Sequence, residues 1–289
     1  MQFKKILKDE KMDTNKSTNP FIFAFILTLL VSMLLSLTAT LLNDKIEENI
    51  EVDKKKNIIK VIGLYKQDML SEDIVNTYEK SIIEVVIDSD GNERDDVKLE
   101  KLIIEENKSE GSFIYTYNNE SFYPLYKSND AIIVPISGKG LWSTLYGYFA
   151  IDIDMETVKG ITFYKHGETP GLGAEVEKPW FQKNFKGKKI FNEDDELVSI
   201  KVYKSSSGDD IHGVDGISGA TVTSDGVTNF LKSTLNNYGF NDQEIAQVYD
   251  HRIVMLVNDA MKSEKFIGMV QPKTIINNDY SKSPELYKI

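Results

Sequence analysis

The sequence predicts an α+β protein, with one N-terminal transmembrane helix followed by a globular domain whose mainly antiparallel sheet is flanked by helices. Three observations carry this reading. Residues 21–42 run FIFAFILTLLVSMLLSLTATLL without a charge, and a helix of that length measures roughly 33 Å, enough to cross a hydrocarbon core. From Ala131 onward, β-branched and aromatic runs are broken by Gly and Asp, the texture of adjacent strands. Farther on, Val227, Phe230, Leu231 and Leu235 fall on one face of a helix.

Residues 1–20 form a cytoplasmic N-terminus in this reading, because Lys4, Lys5, Lys8, Lys11 and Lys16 precede the span while Asp44, Glu47, Glu48 and Glu51 follow it. Residues 21–42 are the transmembrane helix. A cleaved signal peptide is the competing reading, but its apolar region is usually about 7–15 residues and no small-x-small cleavage site follows this one. Residues 43–64 form a helical stalk, since Ile46, Ile50, Ile58 and Ile62 lie near helical spacing up to Gly63. Residues 65–130 are an α/β region, with a helix around Ile74 to Val86 and an acidic loop around Asp88 to Asp96.

Residues 131–255 hold the core sheet, with strands in AIIVPI, TLYGYFAIDID and TVKGITFYKH. A short helix follows at Glu175 to Phe185, then a strand in VSIKVYK at 198–204, a Ser/Gly/Asp-rich loop and a helix from Val227 to Tyr238. Residues 256–289 are a C-terminal tail. No internal repeat is visible.

Composition excludes several classes of chemistry. The chain has 289 residues, 34 Lys+Arg and 45 Asp+Glu, for a net charge of -11, the opposite of what a nucleic-acid partner requires. It has no cysteine, so disulfides, iron–sulfur ligation and thiolate chemistry are ruled out and any redox work needs an organic cofactor. His166, His212 and His251 show no metal-ligand spacing. Ser218 lacks the strand–turn–helix setting of a nucleophile. No G-x-G-x-x-G opens a βαβ unit, so NADH is not expected to bind this chain.

The most informative stretch is VDGISGATVTSDGVTN at 214–229. Gly216, Ser218, Gly219 and Ala220 leave the backbone almost bare, so a ligand can approach closely. Thr221, Thr223 and Ser224 gather hydroxyls ahead of the predicted helix, where backbone N–H groups and the helix dipole favour an anion such as phosphate. A tight turn with Thr223 or Ser224 as N-cap satisfies the same residues. The loop Glu168-Thr169-Pro170-Gly171-Leu172-Gly173 joins a stiff proline, two glycines and a leucine suited to covering an aromatic ring, and it is also compatible with an ordinary turn. Trp142 and Tyr146 stand at the edge of the predicted sheet, where either a core or a stacking role is open to them.

Asp215-Gly-Ile-Ser-Gly-Ala-Thr221 resembles the flavinylation motif Asp-x-x-Ser/Thr-Gly-Ala-Thr of proteins that carry FMN by a phosphoester bond. GKGLWSTLYGYFAID at 138–152 and GETPGLGAEVEKPWF at 167–181 extend the likeness. In this order, behind one N-terminal span, they resemble the C subunits of sodium-translocating NADH:quinone oxidoreductases. The G subunits of Rnf-type complexes share the flavinylation motif and the ETPGLG-like loop, and they are the alternative.

The resemblance implies an electron carrier in a bacterial inner-membrane complex that oxidises NADH, reduces ubiquinone and exports Na⁺. Its globular domain would lie on the periplasmic face. FMN would be esterified to Thr221 by a flavin transferase that recognises Asp215, with Ser218, Gly219, Ala220 and Thr223 around the phosphate. Glu168, Thr169, Gly171, Leu172 and Gly173 would face the isoalloxazine, flanked by Trp142 and Tyr146. The partners implied are the membrane, the transferase and the other subunits of the complex. The rival from another class is a membrane-tethered scaffold without flavin.

Overall fold

A computed structural model describes residues 20–107 and 112–240. The N-terminal lysines, residues 241–255 and the tail from 256 therefore lie outside the described residues. The chain falls into two compact units, Met1–Glu51 and Val52–Ile289.

In the first unit, helix α1 (Pro20–Val61) begins, and every one of its residues from Pro20 to Ile50 is exposed. From Phe21 to Leu42 that surface carries no charge, which is unfavourable in water and fits a single-pass membrane anchor.

The second unit starts with the last turns of α1, which bury Ile58, Ile59 and Val61. The helix stops as its glycine predicts. Gly63 takes a φ of +81°, its N–H donates to the Lys60 carbonyl at 3.0 Å, and the Leu64 N–H donates to the Ile59 carbonyl at 2.9 Å.

Helix α2 (Ser71–Ser81) is shorter than expected. Ile82 is extended, and IEVVI forms strand β1 (Ile83–Ile87) instead of a helical continuation, because this β-branched run pairs along β4. Strands β2 (Ile103–Asn107), β3 (Ser112–Tyr117) and β4 (Glu120–Lys127) follow. The expected strands appear as β5 (Ala131–Lys139), β6 (Thr144–Asp152) and β7 (Val158–Lys165). All pair antiparallel in a seven-stranded sheet of order β2-β3-β4-β5-β6-β7, with β1 also on β4. This is the expected α+β class.

Both faces of the sheet are covered, which is why β5 reads as an unbroken apolar run. Ile133, Tyr148 and Ala150 pack against Ile58, Ile59, Ile74 and Tyr78. Ile132, Val134, Leu145, Phe149 and Phe163 pack on the other face, in the larger core. Pro135 sits past the last β4–β5 pair, where β5 needs no N–H donor on that side.

After β7, a 3-10 turn (Gly173–Glu177) and helix α3 (Pro179–Lys183) stand where one short helix was expected. Pro179 opens α3 at a position where a missing N–H costs nothing. The VSIKVYK strand shrinks to β8 (Lys201–Val202), which pairs parallel with β9 (Gly213–Val214) in a separate two-stranded sheet. Ser199, at φ +63°, breaks its extended path. Helix α4 (Thr221–Asn237) starts well ahead of Val227 and buries Val227, Phe230, Leu231 and Leu235. At its end the Tyr238 hydroxyl donates to the Pro124 carbonyl at 2.5 Å, tying the helix to β4.

Candidate functional site

Two glycines set the height of α4 above the sheet. A Cβ on Gly226 would lie 2.3 Å from the Lys139 carbonyl oxygen, and one on Gly138 would lie 2.2 Å from the Phe230 Cβ. Bare backbone at both points lets the helix settle onto the end of β5, beside the loop that carries Leu141, Trp142 and Ser143.

Thr221 is the first residue of α4, behind an Ala220 N-cap without a side-chain cap. Thr223 and Ser224 are therefore not caps: both lie inside the helix at 1% exposure. The Ser224 N–H closes the first turn on the Ala220 carbonyl at 3.0 Å, whereas the N–H groups of Thr221, Val222 and Thr223 meet no acceptor among the described residues. Three free donors at the positive end of a 17-residue helix suit an anion. Ser218 and Gly219 are exposed, Ala220 is buried and Thr221 is half-buried. Gly219 takes a φ of +76°, and a Cβ there would lie 2.8 Å from Leu172 Cδ2, so the ETPGLG loop borders the turn before Thr221.

Glu168 is buried, at 5% exposure. Its carboxylate accepts hydrogen bonds from the N–H groups of Leu141 at 3.2 Å, Trp142 at 2.9 Å and Ser143 at 3.0 Å, and from the Thr223 hydroxyl at 2.8 Å. Burial works to raise its pKa, but the bonds from Trp142, Thr223, Ser143 and Leu141 outweigh burial and hold it below the ordinary glutamate value. Thus the KGLWS and ETPGLG segments and the first turn of α4, just past SGAT, meet at one side chain though far apart in sequence.

Gly173 lies against this contact. A Cβ there would sit 2.6 Å from Glu168 Oε2 and 2.7 Å from Thr223 Oγ1. Gly173→Ala is expected to cost about 1–3 kcal/mol through overpacking, read as a lower denaturant midpoint in the flavin-free chain. A midpoint equal to that of the parent would show that the contact gives way freely.

The remaining residues divide. Gly171 turns the loop at φ +75°, and the Thr169 carbonyl accepts the N–H groups of Leu172 and Ala174, each at 3.1 Å. Trp142 projects its ring into solvent, at 72% exposure, beside this loop pair. Tyr146 is not brought to the site: it lies with Tyr164, ring centroids 6.5 Å apart, on the sheet face opposite α4. Asp215 is exposed and accepts from the Ser207 N–H at 2.6 Å and the Ser207 hydroxyl at 2.9 Å, which lowers its pKa. Two residues of the site escaped sequence reasoning. The Ser143 hydroxyl accepts the Gly167 N–H at 2.6 Å, and His166 Nδ1 accepts the Glu168 N–H at 3.3 Å. Their only signal was a place inside or beside the two motifs.

An antiparallel sheet whose glycine-rich loops converge on a donor-lined helix start defines a class of flavin-binding domain, and the family model for the FMN-binding domain matches residues 140–236. The chain is 38% identical over 214 residues to the C subunit of the Na(+)-translocating NADH-quinone reductase of Vibrio anguillarum, spanning 69% of this chain and 82% of that one. It is 35% identical over 208 residues to the corresponding C subunit of Pasteurella multocida, spanning 67% and 80%. The crystal structure of the C subunit from Parabacteroides distasonis superposes with a TM-score of 0.57 at 33% identity, covering 70% of this chain and 98% of that one. The chain belongs to the family of Na(+)-translocating NADH-quinone reductase C subunits. The Rnf-type alternative is not favoured.

Proposed function

We propose that this chain is the FMN-carrying C subunit of a sodium-translocating NADH:quinone reductase, with FMN joined to Thr221 through a phosphoester. It serves as an electron carrier in a membrane complex that oxidises NADH, reduces ubiquinone and exports Na⁺. The observation that carries the attachment site is the contrast between two nearby threonines. Thr221 is half-buried, its hydroxyl makes no hydrogen bond among the described residues, and it begins the turn with the free amides. Thr223 is 1% exposed and its hydroxyl is committed to Glu168.

Attachment draws on FAD. The Thr221 oxygen forms a bond to the FMN phosphorus, the pyrophosphate P–O bond breaks, AMP leaves and the threonine proton is released. Exposed Asp215 is the feature read by the transferase. When bound, FMN supplies one- and two-electron transfer. The chain's own part is to hold the phosphate on the amides of Thr221, Val222 and Thr223 and to border the ring with Leu172 and Trp142. The N-terminus lies in the cytoplasm and the globular domain on the periplasmic face, as the lysine distribution around the span indicates.

Mass spectrometry of the peptide containing Val214 to Lys232, from cells that hold the transferase, is expected to show the mass of FMN less one water on Thr221. Fragment ions placing that mass on Thr223, or an unmodified peptide, would overturn the assignment.

A further inference from the structure

We infer that Glu168 is a positioning residue, whose carboxylate fastens the two flavin-bordering loops to the first turn of α4. The inference rests on the proposed attachment at Thr221 and goes beyond it, because sequence reasoning placed Glu168 against the cofactor itself.

The geometry removes that contact. Both carboxylate oxygens are engaged by Leu141, Trp142, Ser143 and Thr223. The space on either side is closed by Gly140 and Gly173, where an added Cβ would come within 2.6 Å of Oε1 and of Oε2 respectively. A buried carboxylate is tolerated only when its lone pairs are met, and here charged hydrogen bonds meet them. The donors belong to separate elements, since Leu141, Trp142 and Ser143 lie in the β5–β6 loop, Thr223 lies in α4 and Glu168 itself opens the ETPGLG loop. Each loop alone is short and glycine-bearing, so the shared anion is what orders them together.

Two consequences follow for the site. The three loop amides are spent on Glu168, which leaves the amides of α4 for the phosphate. In addition, a fixed negative charge lies one hydrogen bond from the helical turn that carries the tether. Negative charge there opposes the arrival of an electron, so it lowers the flavin's midpoint potential.

Glu168→Gln keeps the size of the side chain, removes the charge and presents an NH₂ group to groups that are themselves donors. Two measurements on the full-length chain in detergent test the inference. In the flavin-free chain, amide hydrogen exchange at Leu141, Trp142 and Ser143 is expected to speed up about tenfold or more in the variant, the loss of roughly one charged hydrogen bond, while exchange in β6 stays unchanged. In the flavin-loaded chain, the midpoint potential is expected to rise in Glu168→Gln and to stay put in Thr223→Val, which removes one bond and keeps the charge.

Unchanged exchange at the three amides, or a potential that does not move in Glu168→Gln, would overturn the positioning role. Should Glu168→Gln not fold, Thr223→Val decides, because the inference requires a smaller rise in exchange at the same amides and no rise elsewhere. A parent chain that carries no covalent flavin would defeat the attachment at Thr221, yet the exchange measurement would still decide the role of Glu168.

Discussion

Thr221→Ala is expected to abolish covalent flavin completely. Membranes from cells that hold the transferase, boiled and run on a denaturing gel under ultraviolet light, then show no fluorescent band for this chain, whereas Thr223→Val keeps it. The effect is all-or-none because the ester needs an oxygen on that side chain and the neighbouring hydroxyl is out of reach. Thr223 sits at 1% exposure with its hydroxyl on Glu168, so a transferase would have to open the helix to use it. The fold should tolerate the change, since Thr221 is half-buried and its hydroxyl bonds nothing among the described residues. Alanine is also the better helix former at that position. A fluorescent band that persists in Thr221→Ala would place the tether elsewhere.

Phe230→Ala is expected to lower stability by about 3–5 kcal/mol, a large share of what holds a domain folded. The ring is 2% exposed and packs edge-on against Phe163, with centroids 6.4 Å apart. Gly138 beneath it has no side chain to fall into the gap. The resulting cavity lies where α4 meets β5, so the helix that presents Thr221 loses its footing as well as its apolar area. Denaturant unfolding of the flavin-free chain measures the cost. A loss under about 1 kcal/mol would mean that the core collapses around the missing ring.

Several features could be read from the residues alone because local chemistry settles them. The stop at Gly63 is one, since a glycine in the left-handed region ends the helix. Strands β5 to β7 are another, as their β-branched and aromatic runs are long. The segment before them misled for a definite reason. Ile74, Tyr78, Ile82 and Val86 recur every fourth residue and all four are buried, a pattern that serves a helix up to Ser81 and a strand after it.

The start of α4 was hidden by composition. Threonine, valine and Gly226 are weak helix formers, and contact with the sheet overrides them. The meeting of the two loops with the first turn of α4 was visible only through a resemblance. The hydrogen bonds of Glu168 join residues 25 to 55 positions apart, a separation that no periodicity spans. Tyr146 was misplaced by its neighbourhood in sequence: it follows the loop of Trp142 and Ser143 closely, but it lies on β6, where alternate side chains leave opposite faces of the sheet and its own ring joins Tyr164.

The seven residues from Asp215 to Thr221 face two ways. Ile217 and Ala220 lie in the larger core, while Asp215, Ser218 and Gly219 are exposed and Thr221 is half-buried. The buried half anchors the segment, and the exposed half takes its shape from that packing. Under the proposed attachment, a transferase would meet a finished surface in place of a pliant peptide, so that folding would come first and loading second. A substitution that unseats Ile217 or Ala220 from the larger core would then deprive Thr221 of its setting, and flavin loading would double as a mark of correct assembly.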